Sequence, residues 1–174
     1  MSSFDASRSV ALVTAVDVRP PHPDEIPAVA RLAGMLVVQH EGYDPERFLH
    51  VDDPAAGYAK FLPRVLADPK SVLLAAIVDG DVMGYAYATL EGRNYFELLD
   101  ACGKLHDIFV DERARGRGVG EALLLEVKKQ LTHRGAPRLV LLTATQNASA
   151  QRLFAKMGFR TTMLEMTAEL PKGA

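Results

Sequence analysis

The chain has 174 residues, 48% of them hydrophobic, with a formal net charge of −2 and a single cysteine. That length and apolar content suit one compact domain over residues 1–174 and argue against intrinsic disorder. The balanced charge gives no basic surplus for nucleic acid, and a lone thiol at Cys102 rules out an internal disulfide or a cysteine-rich metal cluster.

Met1–Ser9 is polar, and the apolar run Val10–Val16 is broken by Thr14 and followed by Asp17, unlike an export signal. No stretch approaches the ~20 apolar residues of a membrane span. With one thiol, these features point to a cytoplasmic protein without a membrane partner. Val10–Val18 is predicted as a first strand, stopped by Pro20, Pro21 and Pro23. Asp24 is then expected to cap a helix to about His40, because Ile26, Val29, Ala33, Leu36 and Val37 recur at helical spacing. Pro27 is tolerable in the first turn. Asp53-Pro54 opens a second helical stretch that Pro63 should kink or split.

Val72–Val78 and Val82–Leu90 are predicted strands joined at Asp79-Gly80, a dipeptide that tolerates the positive φ of a tight hairpin. Gly92–Gly103 is expected as a loop with some helical tendency, and Lys104–Val110 as the next strand. A helix follows from about Gly118 to Arg134, with Ala122, Leu123, Val127 and Leu131 on one face and Gly135 ending it. Arg138–Ala144 is a predicted buried strand. Asn147 should cap a last helix ending at Gly158. Phe159–Leu170 is expected to return as a strand, because Leu164, Met166, Ala168 and Leu170 alternate. The meander implies antiparallel pairing, and the later strand–helix–strand unit needs a parallel crossover. The expected fold class is therefore α/β (α+β), with a mixed, mostly antiparallel central sheet and helices on both faces.

Between a predicted strand and a predicted helix stand Arg113, Arg115 and Arg117, interleaved with Gly116, Gly118 and Gly120. The first amides of a helix lack internal partners and carry partial positive charge, and glycines let a phosphate approach them. Neither a Walker loop nor a Gly-x-Gly-x-x-Gly fingerprint fits; the match is Arg-x-x-Gly-x-Gly at Arg115, Gly118 and Gly120.

With the strand Leu105-His-Asp-Ile-Phe-Val110 before it and Glu121-Ala-Leu-Leu after it, this loop resembles the central motif of the GNAT superfamily of N-acetyltransferases. Asn147-Ala-Ser-Ala150 and Leu153-Phe-Ala-Lys-Met-Gly-Phe159 resemble its next motif. The resemblance is specific over residues 104–159, which it marks as an acetyl-CoA-binding core, and looser elsewhere. It implies that Arg115, Gly116, Arg117, Gly118, Val119 and Gly120 hold the pyrophosphate of acetyl-CoA, the co-substrate. It also implies that Ile108, Phe109 and Val110 run beside the pantetheine arm, where a backbone amide would polarise the acetyl carbonyl. Asn147 matches a cofactor-contacting position and also suits a helix cap. Phe154, counted with the cofactor positions, stands where family members commonly carry a Tyr that protonates the departing thiolate. Phe has no proton to give; Tyr85 and Tyr87 are candidate substitutes.

An attacking amine must be neutral, so a base is needed. His106 and Asp107 lie on the strand beside the expected thioester: His106 is the first choice as base, Asp107 as a site for a cationic substrate. Strand alternation leads us to expect only one of the two in the cleft. The resemblance implies an acceptor pocket from the first two helices and the segments Gln39–Arg47 and Leu90–Leu99, where Glu41, Asp44, Glu91 and Glu97 are candidate attractants for a cationic amine. A small-molecule amine, polyamine-like by the likeness of the Leu-His-Asp-Ile-Phe-Val strand, or a peptide amine is the expected acceptor. No metal is expected, and members of that family often form homodimers. The leading expectation is direct acetyl transfer in a ternary complex. The alternatives are a non-catalytic acyl-CoA-binding module, or an acyltransferase using another acyl group or acceptor.

Overall fold

A computed structural model describes residues 16–170. Its elements are β1 (Asp17–Arg19), α1 (Ile26–Tyr43), α2 (Pro54–Ala67), β2 (Ser71–Val78), β3 (Asp81–Glu91), β4 (Cys102–Val110), α3 (Val119–His133), β5 (Leu139–Leu141) and α4 (Ala148–Lys156). One sheet orders them β1-β2-β3-β4-β5. The first three pairings are antiparallel, and β4 pairs β5 in parallel across the α3 crossover. The expected mixed, mostly antiparallel sheet is observed.

The two sheet faces carry separate apolar cores, as two-residue alternation along a strand dictates. Val72, Leu74, Ala76 and Val78 of β2 face α3 and α4, meeting Val119, Leu123, Val127, Leu131 and Phe154. Leu73 and Ala75 face α1 and α2, with Tyr85, Phe109, Val29, Leu32 and Leu62. The hairpin between β2 and β3 turns at Asp79 (φ 55°) and Gly80 (φ 89°), the expected left-handed pair.

Several local expectations are corrected. Residues 10–15 of the predicted first strand lie outside the described residues; the observed strand is Asp17–Arg19. Asp24 does not cap α1. A 3-10 turn at Pro23–Glu25 intervenes, and the Glu25 carboxylate accepts from the His22 amide at 2.7 Å while pairing with Arg19, which pulls its pKa down to about 2. Helix α1 continues beyond His40 to Tyr43. Asp53 caps α2 as expected, accepting from the Ala56 amide at 3.0 Å, and α2 runs through Pro63 without splitting.

The strand expected at Arg138–Ala144 shrinks to Leu139–Leu141 and is half-buried. Residues 159–170 form no strand, and Met163, Leu164, Met166 and Leu170 are exposed. Alternation makes a strand only where a neighbouring ladder accepts its backbone. A three-residue β5 presents almost none. An ion pair from Arg47 to Glu165 ties this segment beside the chain that leaves α1.

Candidate active site

Strand β4 carries the irregularity that shapes the site. Tyr87 of β3 opposes Asp107, but Ala88 opposes Leu105, so His106 is an extra residue in the ladder. Such a bulge shifts the parity of the strand. Leu105 faces the α3 core, Phe109 faces α1, and His106 and Asp107 are both delivered to one cavity under α1 and α2. The expectation that only one of the two reaches the cleft is thereby corrected.

That cavity is about 610 Å³. On its floor the Tyr58 hydroxyl donates to Asp107 Oδ2 at 3.0 Å. Burial pushes the Asp107 carboxyl above its ordinary range, with the Tyr58 hydrogen bond opposing the shift. The buried Tyr85 hydroxyl lies beside the same carboxylate, without a hydrogen-bond partner of good geometry among the described residues. Burial raises the Tyr58, Tyr85 and Tyr87 phenols, Asp107 adding to each shift. All three therefore stay protonated at neutral pH.

The His106 ring stacks on Tyr87 with centroids 4.9 Å apart, and its Nε2 lies 2.7 Å from the Thr89 hydroxyl. That hydroxyl donates to Glu91, which leaves it to accept from Nε2–H and leaves Nδ1 as the basic atom. Burial lowers the His106 pKa from its ordinary 6.5, favouring the neutral ring.

Beyond Leu105, β4 leaves β5: the parallel ladder contains only Gly103–Leu139, Lys104–Val140 and Leu105–Leu141. The Asp111 amide bonds back to Met83 of β3. By alternation, the Phe109 amide also faces β3, while the amides of Ile108 and Val110 face the open edge. The Phe109 side chain is buried against α1, so its ring belongs to the core.

The open edge runs into the glycine loop. Asp111 is buried and fixes that loop, accepting from the Arg113 amide at 3.1 Å and from its guanidinium at 2.9 and 3.0 Å, with Arg31 at 3.5 Å. These contacts hold its pKa far below the usual carboxylate range. Gly118 caps α3 at φ 78°, a left-handed conformation suited to glycine, with open space where a side chain would stand. The first helical bond of α3 runs from the Ala122 amide to the Gly118 carbonyl, so the Val119, Gly120 and Glu121 amides precede the internal ladder.

Gly120 also lies against a neighbouring helix. A Cβ there would lie 2.9 Å from Leu153 of α4, so this glycine allows α3 and α4 to approach. The three loop arginines are engaged: Arg113 with Asp111, Arg115 with Glu112 at 3.1 Å, and Arg117 with Asp79 at 3.0 Å.

Asn147 caps α4, accepting from the Ala150 amide at 3.1 Å. Phe154 is buried in the α3 core, edge-on to Phe159. Cys102 is buried with its pKa raised by burial, which suits core rather than nucleophilic duty. Among the described residues, no cluster of metal-ligating side chains is found.

The expected pocket walls are only partly those observed. Leu90–Leu99 contributes nothing to the cavity, because it lies where β3 ends and β4 begins, beyond the level of Tyr87 and Asp107. The acidic candidates lie outside the lining and have other partners. Glu41 pairs with His50, Asp44 accepts from the Glu46 and Arg47 amides, Glu97 meets Lys104, and Glu91 accepts from Thr89 and lies 3.7 Å from His106 Nε2. Sequence reasoning missed Tyr58 and Phe61, whose i, i+3 spacing on a helix capped by Asp53 was the available signal, and Phe48 and Val51, which follow α1 without a pattern. A second cavity of about 630 Å³ lies between α1 and the loop, bordered by Met35, Tyr43, Phe109 and Arg115.

The acetyltransferase (GNAT) family model matches residues 36–159. A mycothiol acetyltransferase of Paenarthrobacter aurescens is 29% identical over 92 residues, covering 53% of this chain and 28% of that protein. The chain thus spans under a third of the length of the mycothiol acetyltransferases it matches. Among solved structures, a tetramutant protein from Bacillus halodurans superposes with TM-score 0.74 at 19% identity, over 88% of this chain and 99% of that one. An aminoglycoside N-acetyltransferase in complex with CoA superposes with TM-score 0.68 at 19% identity, over 91% and 97%. These two likenesses establish the shared fold.

Proposed function

Because this chain belongs to the acetyltransferase (GNAT) family, we propose that it transfers the acetyl group of acetyl-CoA directly to a primary amine in a ternary complex. The observation that carries this reading is the bulge in β4. It sets His106 and Asp107 in one cavity, directly before the open strand edge that leads into the glycine-capped start of α3.

The residues present suit acetyl-CoA. The unpaired amides at the start of α3, next to an unfilled Gly118, favour a pyrophosphate. The Ile108 and Val110 amides on the open edge suit an extended amide-bearing arm. Arg115 and Arg117 each make one exposed ion pair, and Arg115 also donates to the Val110 carbonyl at 3.3 Å; an anion can replace such exposed contacts at small cost. When bound, acetyl-CoA supplies an activated thioester: a C–N bond forms, the C–S bond breaks, and the ammonium, acetyl-CoA and two proton transfers yield the amide, free CoA thiol and one released proton.

The protein's own groups divide the remaining work. Asp107, held by Tyr58, receives the ammonium of the acceptor. His106, neutral because burial lowers its pKa, takes the proton at Nδ1. An edge amide of β4 stabilises the charge that develops on the acetyl oxygen. The leaving thiolate needs little help, since a thiol pKa is ~8.5, and Phe154 is consistent with that.

The test is calorimetric titration with acetyl-CoA, with ATP and NADH as controls, followed by thiol release with an amine panel. One-to-one selective binding and amine-dependent thiol release support the reading. A folded sample that binds no acetyl-CoA overturns it.

A further inference from the structure

Resting on the acetyl-transfer reading for its chemistry, we propose that the acceptor is an amine with one cationic head on an apolar, aromatic or branched aliphatic body, and not a polycation. The cavity floor and walls carry this. Among the described residues that line it, Asp107 is the sole carboxylate, and no lysine or arginine joins it there. The walls are Leu36, Phe48, Leu49, Val51 and Phe61, which offer a guest dispersion and desolvation but no hydrogen bonds.

Leu49 and Phe61 are 77% and 42% exposed at this wall, apolar surface that an apolar body would cover. Phe61 packs edge-on against both Tyr58 and Tyr87, so the aromatic wall continues down to the rings flanking Asp107 and His106. His40 is held by the Leu36 carbonyl of its own helix at 2.8 Å and packs on Phe48, extending that wall.

A polyamine or an amino sugar has several ammonium groups. The second and third would be stripped of water against Phe48, Val51 and Phe61 with no counter-charge, a large penalty. Of the acidic residues in the expected pocket segments, Glu41 and Glu97 are each tied to a cationic partner away from the lining, and Glu91, also outside the lining, accepts from Thr89 and lies 3.7 Å from His106 Nε2. The charge arithmetic of the cavity therefore admits one ammonium. Its volume, about 610 Å³, is far beyond what an amine head alone fills.

The experiment compares 2-phenylethylamine, tryptamine and hexylamine with putrescine, spermidine and kanamycin on the full chain. Calorimetry with CoA present reads amine binding, and thiol release from acetyl-CoA reads turnover. We expect the apolar monoamines to bind at least about tenfold more tightly than the polycations, and Phe61→Glu to weaken monoamine binding about tenfold with acetyl-CoA affinity unchanged. Leu49→Glu, at an exposed position, provides the same test without touching the core. Equal or tighter binding of the polycations, or no monoamine binding, overturns the inference. Selective monoamine binding without turnover of any amine sustains the cavity assignment and overturns the transfer reading instead.

Discussion

The loop at 115–120 and the cavity over Asp107 are assembled in opposite ways. The loop draws its character from six consecutive residues: a glycine in the left-handed region, free helix-start amides and nearby arginines all follow from local sequence. The cavity draws on α1, the chain after it, α2, β3 and β4, and His106 and Asp107 meet there only because one strand residue is extra. A local site tolerates distant change and is lost only through particular positions of its own. A composite site is the reverse, since its walls respond to every element that frames them.

Substitutions that separate the two regions test this contrast. The largest expected effect is Gly118→Asp, which places a carboxylate where the structure has open space and a φ of 78°. Acetyl-CoA binding should weaken at least ~1000-fold by calorimetry, through repulsion of phosphate at a helix start. Binding within a few-fold of wild type, in a sample with native circular dichroism, removes the loop from the cofactor site.

Next is Asp107→Asn, which keeps shape and removes charge. Amine kcat/KM should fall about 100-fold while acetyl-CoA affinity stays within about twofold. Equal loss of both constants would erase the distinction between the regions.

His106→Ala should lower turnover about tenfold, with a signature in pH. The wild-type ring stays neutral below its ordinary 6.5 because burial lowers its pKa. The ratio of wild-type to variant rates should therefore grow as pH falls from 9 towards 6, and level off only below the depressed pKa. A flat ratio across that range assigns the base elsewhere.

The smallest effect is Gly120→Ala, which sharpens the boundary within the loop itself. Its added methyl meets the end of the Leu153 side chain at 2.9 Å, which can swing aside, and alanine favours the helix over glycine, so stability in a denaturant titration should change by under about 1 kcal/mol, with acetyl-CoA affinity nearly unchanged. A large affinity loss at unchanged stability would return Gly120 to direct cofactor contact.

The fold was legible wherever an element is stabilised by what lies beside it in sequence. Asp79-Gly80, Asp53-Pro54 and Asn147 each supply a turn or cap whose chemistry is local, and each stands as expected. Residues 159–170 show the opposite. Their alternation is that of a strand, but a strand also needs an open ladder, and β5 is three residues long. The meeting of His106 with Asp107 is illegible in the sequence for a related reason: simple alternation separates them, and a bulge is a property of two strands in register.

By itself, the sequence determined the order of elements from α1 to α4, the glycine-capped turn into α3 and the residue types available for acid–base work, because caps, turns and periodicity act over a few residues. Only the tertiary structure decided that Phe154 is core, that Gly120 lies where α3 and α4 meet, that Glu41 and Glu97 are engaged away from the cavity, and that Tyr58 and Phe61 frame Asp107. Those outcomes depend on which surfaces meet across many residues of chain. Close packing selects those meetings, and no short segment encodes them.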